Sequence, residues 1–229
     1  MGAPYLAHLC QKHRSTYVAR ACYKSRVPKI VDPTERRREV VEAVFRVVAR
    51  SGVAQASLRN VAAEAGLALG SVRHYFDSHG QLLTAAAREM ARRVEARLLR
   101  RRDQVRPSDD PLQVAQEVAG EFLPLDAARA DETAVWLEFV IAARTEPALR
   151  EVAVELHDGL RTVAGLVLQR LGVDDPVETE RLAALIDGLT LGGTLHPGRL
   201  RPPTIRAVVL RHLEDLCPKD TCARRKRGC

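Results

Sequence analysis

Apolar residues recur along this chain at intervals of three and four, and nowhere in the strict alternation of a half-buried strand. The helical pattern begins after Asp32-Pro33-Thr34, where Asp32 or Thr34 can cap. It continues through Val40, Val41, Val44, Val47 and Val48 to a stop at Ser51-Gly52. Ser57 opens a short helix carrying Leu58, Val61, Ala62 and Ala65; Gly66 closes it, tolerating the positive φ of a sharp turn, and a second short helix follows at 69–75. Asp77 and Ser78 can cap a long helix whose apolar stripe reads Leu82, Leu83, Ala86, Ala87, Met90, Val94 and Leu98. After the break at Arg106-Pro107-Ser108-Asp109-Asp110-Pro111, the pattern predicts helices near 111–123, 126–144, 147–171, 177–191 and 202–216, each bounded by proline or glycine.

Composition supports the same fold class. Hydrophobic residues make up 46% of the 229 and aromatics 4%, so the core must be built from Ala, Val and Leu, a mixture suited to helix-on-helix packing. The expected fold is all-α, in four segments: a basic extension over 1–31, a small domain over 32–82 that includes the first turn of the linking helix, a larger helical domain over 83–216, and a basic tail over 217–229.

Charge changes the picture less than its size promises. The formal net charge is +7, but residues 1–31 carry +6 and 217–229 carry +4, which leaves the body at −3. Any nucleic-acid reading must therefore rest on local arrangement. The N-terminal stretch, with Tyr5, Tyr17 and Tyr23 among basic residues, lacks an apolar face and is expected to be disordered; an arm that touches phosphates is the alternative. Cys10, Cys22, Cys217, Cys222 and Cys229 all fall in the tails, without zinc-site spacing or paired histidines. No metal or cofactor is expected, and the pattern fits a reducing cytoplasm. With no apolar run of ~20 residues and no signal-peptide core, the chain is expected to be cytoplasmic and free of the membrane.

The informative segment is Ser57 to Phe76, two short helices around a Gly-containing turn, in which the second helix of such a unit enters the major groove of DNA. Val61, Ala62, Ala65, Leu67, Val72 and Phe76 are placed to hold the two helices at a fixed angle. The order of the first helix, the Val-Ala-Ala-Glu-Ala-Gly turn, His74-Tyr75-Phe76, Asp77-Ser78 and Leu82-Leu83 resembles the DNA-binding domain of the tetracycline-repressor-like (TetR) family. The later Ala-Leu-Ile-Asp187-Gly188-Leu run resembles its choline-responsive BetI-type branch.

That resemblance implies a DNA-binding transcriptional regulator, by family default a repressor. It would bind a palindromic double-stranded operator as a homodimer and be released by a small-molecule ligand. Arg59, Leu69, Gly70, Ser71 and Arg73 are candidates to face base edges, since arginine pairs bidentately with guanine and glycine permits close approach. Ser57, His74, Tyr75 and His79 are better placed for phosphates. The plainer alternative has Arg59 and Arg73 merely solvating a surface. Three departures from the family touch DNA: Ala68 where Ser usually caps, Arg73 where many members carry Tyr, and His79 where Lys is common. The operator therefore cannot be borrowed from relatives.

In the C-terminal part the resemblance places a ligand pocket around Phe122, Trp136, Leu137, Phe139, Val140, Arg144, Leu156, His157 and Leu160, most of which also suit ordinary core. A choline-type ligand calls for an aromatic cage, which 4% aromatics makes hard to build. Leu182, Leu185, Ile186 and Leu189, with Ile205, Val208, Val209, Leu213 and Leu216, carry more apolar surface than a terminal helix pair buries alone, which marks a dimer interface. Gly188, Gly192 and Gly193 would allow close helix approach or, alternatively, form a flexible end, and Asp187 is read as a surface or interface carboxylate. Release would come from a shift of the linking helix around 82–103. A ligand-independent architectural DNA-binding protein is the competing reading, and would require a fully packed C-terminal domain. No P-loop, dinucleotide pattern, His-Glu-x-x-His or nucleophile elbow supports an enzyme. Glu138, Glu151, Glu155 and Asp158 read as solvated helix faces.

Overall fold

A computed structural model describes residues 32–217; the basic extension and all but the first residue of the tail lie outside the described residues. Within them the chain is all-helical, in the order α1 (Pro33–Ser51), α2 (Leu58–Ala65), α3 (Leu69–Arg73), α4 (His79–Gln104), α5 (Pro111–Ala119), α6 (Ala127–Ala142), α7 (Arg150–Arg170), α8 (Pro176–Leu195) and α9 (Pro202–Leu216). Among the described residues no helix is long and apolar enough to cross a membrane, and no group of three or more His, Cys, Asp or Glu could hold a metal ion.

Local chemistry sets the helix ends. Asp32 accepts the Thr34 amide at 2.9 Å in the first turn of α1, which belongs to a separate compact unit ending at Arg36. Asp110, Asp126 and Asp175 cap α5, α6 and α8 in the same way, satisfying amides that have no partner inside the helix. The predicted helix at 111–123 stops being α-helical at Ala119 and tightens into a 3-10 turn over Gly120–Phe122. Pro124 is the cause: it forces Leu123 into extended backbone, with φ −112 and ψ 147. Pro147 likewise starts a 3-10 turn before α7. In contrast, α8 runs past its predicted end at residue 191 to Leu195, straight through Gly192 and Gly193. Gly193 is a crossing point and not a loose end. A Cβ there would stand 2.7 Å from Pro124 Cγ and 2.9 Å from Ile205 Cδ1, closer than packed atoms allow.

From Arg37 onward two apolar cores organise the helices. The first gathers Val40, Val44, Val47 and Val48 of α1, Val61 and Ala62 of α2, Val72, Phe76, and Leu82, Leu83, Ala86 and Met90 of α4. It does not end with the small N-terminal bundle, because Val135 and Phe139 of α6 and Leu149 and Val152 close it from the other side. The second core packs α5, α7, α8 and α9 through Leu112, Leu160, Leu168, Leu182, Ile186, Ile205, Val209 and Leu213. Helix α4 therefore carries the helix-turn-helix on its first turns and reaches the C-terminal helices with the rest.

Candidate nucleic-acid interface and internal cavity

The turn between α2 and α3 follows from its residues. Ser57 Oγ accepts the Asn60 amide at 3.2 Å and caps α2. Gly66 sits in the left-handed region at φ 67, which brings the Leu67 amide back to the Ala62 carbonyl at 2.9 Å. Ala68 begins α3 in extended backbone without a side-chain cap. Below, Val61, Val72 and Phe76 are completely buried and fix the angle between the helices. Glu64 of α2 is gripped by Arg46 Nε at 2.8 Å and Arg50 at 2.9 Å, both from α1, and these guanidiniums hold its carboxyl below the usual range.

With Val72 turned inward, α3 exposes Gly70, Ser71 and Arg73, with His74 following; Leu69 is half-buried. Arg59 on α2 is also exposed. Among the described residues, Arg59 and Arg73 hold no carboxylate, whereas the arginines of α4 are almost all paired. Both guanidiniums are exposed and without a carboxylate partner among the described residues. Tyr75 is half-buried and packs against the first core; its ring meets the His74 ring edge-on at 5.1 Å, and its carbonyl accepts from Arg37 Nη1 at 3.0 Å. His79 is placed less simply. Its Nε2 is buried without a hydrogen-bond partner, so that atom cannot reach a phosphate as the helix stands.

Further along α4, Met90, Val94 and Leu98 form one wall of a half-open cavity of about 760 Å³ bounded also by α6, α7 and α8. Of the residues expected in a pocket, Phe122, Trp136, Leu137, Val140, Leu156, His157 and Leu160 line it. Phe139 and Arg144 do not. Phe139 is 1% exposed and belongs to the first core, while Arg144 lies on the outer surface beyond the end of α6. Helix phase explains the error: Thr133, Trp136, Leu137 and Val140 share the cavity face of α6, and Phe139 lies about 100° around the helix from Val140, on the flank that packs into the first core.

The expectation of a dimer interface also needs correction. Leu182, Ile205 and Leu213 are fully buried inside the protomer, Ile186 and Val209 nearly so, and Leu189 is 8% exposed. These side chains fill the second core and leave no surface for a partner. Leu185, Val208 and Leu216 are only half-buried and pack against the same core.

Sequence reasoning missed the cavity's carboxylates: Glu95, Glu121, Glu132, Glu155 and Asp187 all reach its lining. Glu155, expected on a solvated face, binds Arg88 of α4 at 2.9 Å, and Glu138 accepts the Val53 amide at 3.1 Å. Glu121, 4% exposed, receives Arg101 at 2.8 Å, Arg97 at 3.1 Å and Arg129 at 4.0 Å. Burial pushes its carboxyl up, but the three guanidiniums outweigh that and hold it below the usual range. The available signal was a single acid inside the apolar run Val118 to Leu125, with arginines spaced along α4.

A family model described as the BetI-type transcriptional repressor C-terminal domain matches residues 111–218. The HTH-type transcriptional regulator PksA of Bacillus subtilis is 33% identical over 208 residues, covering 88% of this chain and 99% of that protein. The chain belongs to the TetR family of transcriptional regulators. Its fold matches that of a transcriptional regulator from Rhodococcus sp. Rha1, with a TM-score of 0.69, 30% identity, and coverage of 79% of this chain and 95% of the other. The multidrug-binding protein EbrR, solved with ethidium, is similar at a TM-score of 0.57 and 32% identity over 80% of this chain and 99% of its own. Like other TetR regulators, the protein is a DNA-binding regulator of transcription and not an enzyme.

Proposed function

We propose that this TetR regulator is a homodimeric repressor of a palindromic operator, released when a small molecule fills the cavity beside α4. One observation carries the reading: the helix that seats the recognition unit through Leu82, Leu83 and Ala86 also lines the cavity through Met90, Val94 and Leu98. A ligand that displaces the second segment moves the first. Without the ligand, helix α3 enters the major groove, with Arg59, Leu69, Gly70, Ser71 and Arg73 toward base edges, and with Ser57, His74 and Tyr75 toward phosphates.

The cavity volume lies within the range of drug-sized sites, roughly 300–1,000 Å³, and EbrR holds a ligand of that kind, ethidium. A ligand-independent architectural role called for a closed C-terminal domain, and a cavity of about 760 Å³ weighs against it. We assign the dimer face to the exposed stripe of α8 formed by Ala184, Gly188, Leu191 and Leu195 at helical spacing, of which Gly188 and Leu191 also border the cavity.

The test is to select the operator from random DNA and follow its anisotropy on titrating compounds that bind the protein. Switching requires differential affinity: a hundredfold preference for the released form shifts the equilibrium by ~2.7 kcal/mol. Compounds that occupy the cavity and leave operator affinity unchanged would refute the reading.

A further inference from the structure

We propose that Glu138 of α6 is a positioning residue for the DNA-binding unit: its carboxylate holds the turn between α1 and α2, and ties that turn to the wall of the cavity by a path that bypasses α4. The inference rests on the reading that the cavity governs DNA binding, and adds a second link to the one through α4.

The chain leaves α1 through Gly52, at φ 78, and enters a 3-10 turn over Val53–Gln55. The first amide of such a turn has no partner within it, and glycine has no side chain with which to cap it. Glu138 Oε2 accepts that amide, the Val53 N–H, at 3.1 Å from 85 positions away in sequence. Gly52 makes room for the carboxylate: a Cβ there would stand 3.0 Å from Oε2, and the positive φ already disfavours any other residue. Val53 is buried and Ala56 completely so, which seats the turn on the first core. Short-range bonds then pass its position to α2. The Ala56 amide returns to the Val53 carbonyl at 3.0 Å, Asn60 donates its side-chain amide to the Gln55 carbonyl at 2.9 Å, and Ser57 caps the helix.

Trp136, Leu137 and Val140 of α6 line the cavity, while Glu138 lies on the far side of the same helix, beside Val135 and Phe139 of the first core. Helix α6 is therefore wedged between the cavity and the turn. Its carboxylate moves with its cavity face, and a shift of ~0.5 Å takes the Val53 bond outside the range in which an N–H···O bond holds. The amide is then left buried without a partner, which favours a rearranged turn. Thr84 and Arg88 also join the C-terminal helices to the bundle, through the Ala148 carbonyl at 2.8 Å and Glu155 at 2.9 Å, but both belong to α4.

Trp136, the chain's single tryptophan, lies two positions from Glu138, so its emission reports on this path. Coupling is reciprocal: a site that governs DNA binding feels DNA binding in turn, and operator DNA serves as the probe. Full-length wild type, Glu138→Gln and Glu138→Ala are titrated with operator selected from random DNA and with unselected DNA. Operator is expected to change Trp136 emission in the wild type and in Glu138→Gln, which keeps an acceptor oxygen, and unselected DNA to change neither. In Glu138→Ala the emission change is expected to be largely lost and operator affinity to fall by about tenfold, ~1.4 kcal/mol, with affinity for unselected DNA unaltered. Hydrogen exchange at the Val53 amide is expected to be slow in the wild type and faster in Glu138→Ala. A folded Glu138→Ala variant with wild-type emission change and affinity overturns the proposal, as does a Glu138→Gln variant equally impaired. If Glu138→Ala does not fold, the wild type decides alone: an unprotected Val53 amide, or emission indifferent to operator, overturns it. Undiminished release of operator from Glu138→Ala by cavity-binding compounds would refute this path and leave the one through α4 standing. A Glu138-dependent emission change in a protein that no cavity-binding compound releases would refute the release reading alone, so the two fail separately.

Discussion

Replacing Glu121 with glutamine removes one charge and almost no volume at the place where three arginines converge. At 4% exposure Glu121 is effectively out of water, while Arg97, Arg101 and Arg129 are 25%, 28% and 25% exposed. Breaking a fully buried ion pair costs about 3–5 kcal/mol, because the partner stays behind uncompensated. Here each arginine keeps another carboxylate: Arg97 has Glu132 at 2.7 Å, Arg101 has Glu117 at 2.7 Å, and Arg129 has Asp126 at 3.4 Å. With that compensation and partial solvent screening, the expected loss falls to ~2 kcal/mol. For a chain of this size that is a drop in Tm of roughly 4–8 °C.

The sign of the pH dependence follows from the direction of the shift. Glu121 has a folded-state pKa below its unfolded value, so its contribution is fully present above the unfolded carboxylate pKa, ~4.3, and is lost as pH falls through the folded value. The stability gap between wild type and Glu121→Gln, measured by urea unfolding, should be level from neutral pH down to ~5 and close below ~4. A gap under ~0.5 kcal/mol at neutral pH, or one that stays open in acid where both proteins remain folded, would refute this account of the network.

The other expectations concern DNA, assembly and packing. Arg73→Ala should cost ~1–3 kcal/mol on the selected operator and relax its sequence preference, while equal losses on random DNA would remove Arg73 from base reading. Leu195→Glu should shift the protein toward monomer in sedimentation velocity without lowering the protomer's secondary structure, and an unchanged dimer would move the interface elsewhere. Phe139→Ala should cost ~3–5 kcal/mol in urea unfolding through the hole left in the first core. It should leave ligand affinity nearly unchanged in calorimetry, because the ring faces away from the cavity.

Much of this was legible in the chain. Helix starts were set by aspartate and serine caps, and helix ends by prolines and Gly66, all of them local chemistry that the sequence displays directly. The exposed face of α3 was legible for the same reason, since Val61, Val72 and Phe76 had to point inward and left Arg73 and Ser71 outside. Local pattern could not say which partner covers an apolar stripe. Leu182, Ile186, Val209 and Leu213 are as hydrophobic as interface residues, and only the packing of α5 and α7 over them shows that the protomer buries them itself. The cavity carboxylates were hidden for a related reason. Glu132 and Glu155 have the spacing of solvated residues, and their role depends on arginines of α4 separated from them by more than thirty positions.

Those same arginines bear on how a signal could travel. Arg88 ties α4 to α7, Arg93 ties it to Glu42 of α1, and Arg97 and Arg101 tie it to Glu132 of α6, Glu117 of α5 and Glu121. Three of the carboxylates in this ladder, Glu121, Glu132 and Glu155, also face the cavity. A ligand bearing positive charge would therefore act on α4 by two routes. It would crowd the apolar wall at Val94 and Leu98, and it would compete electrostatically with Arg88 and Arg97 for the carboxylates that hold the helix in place. A neutral compound of equal size has only the first route. If both routes operate, cations should release operator more effectively than neutral compounds bound to the same occupancy, and added salt should narrow that difference by weakening the second route alone.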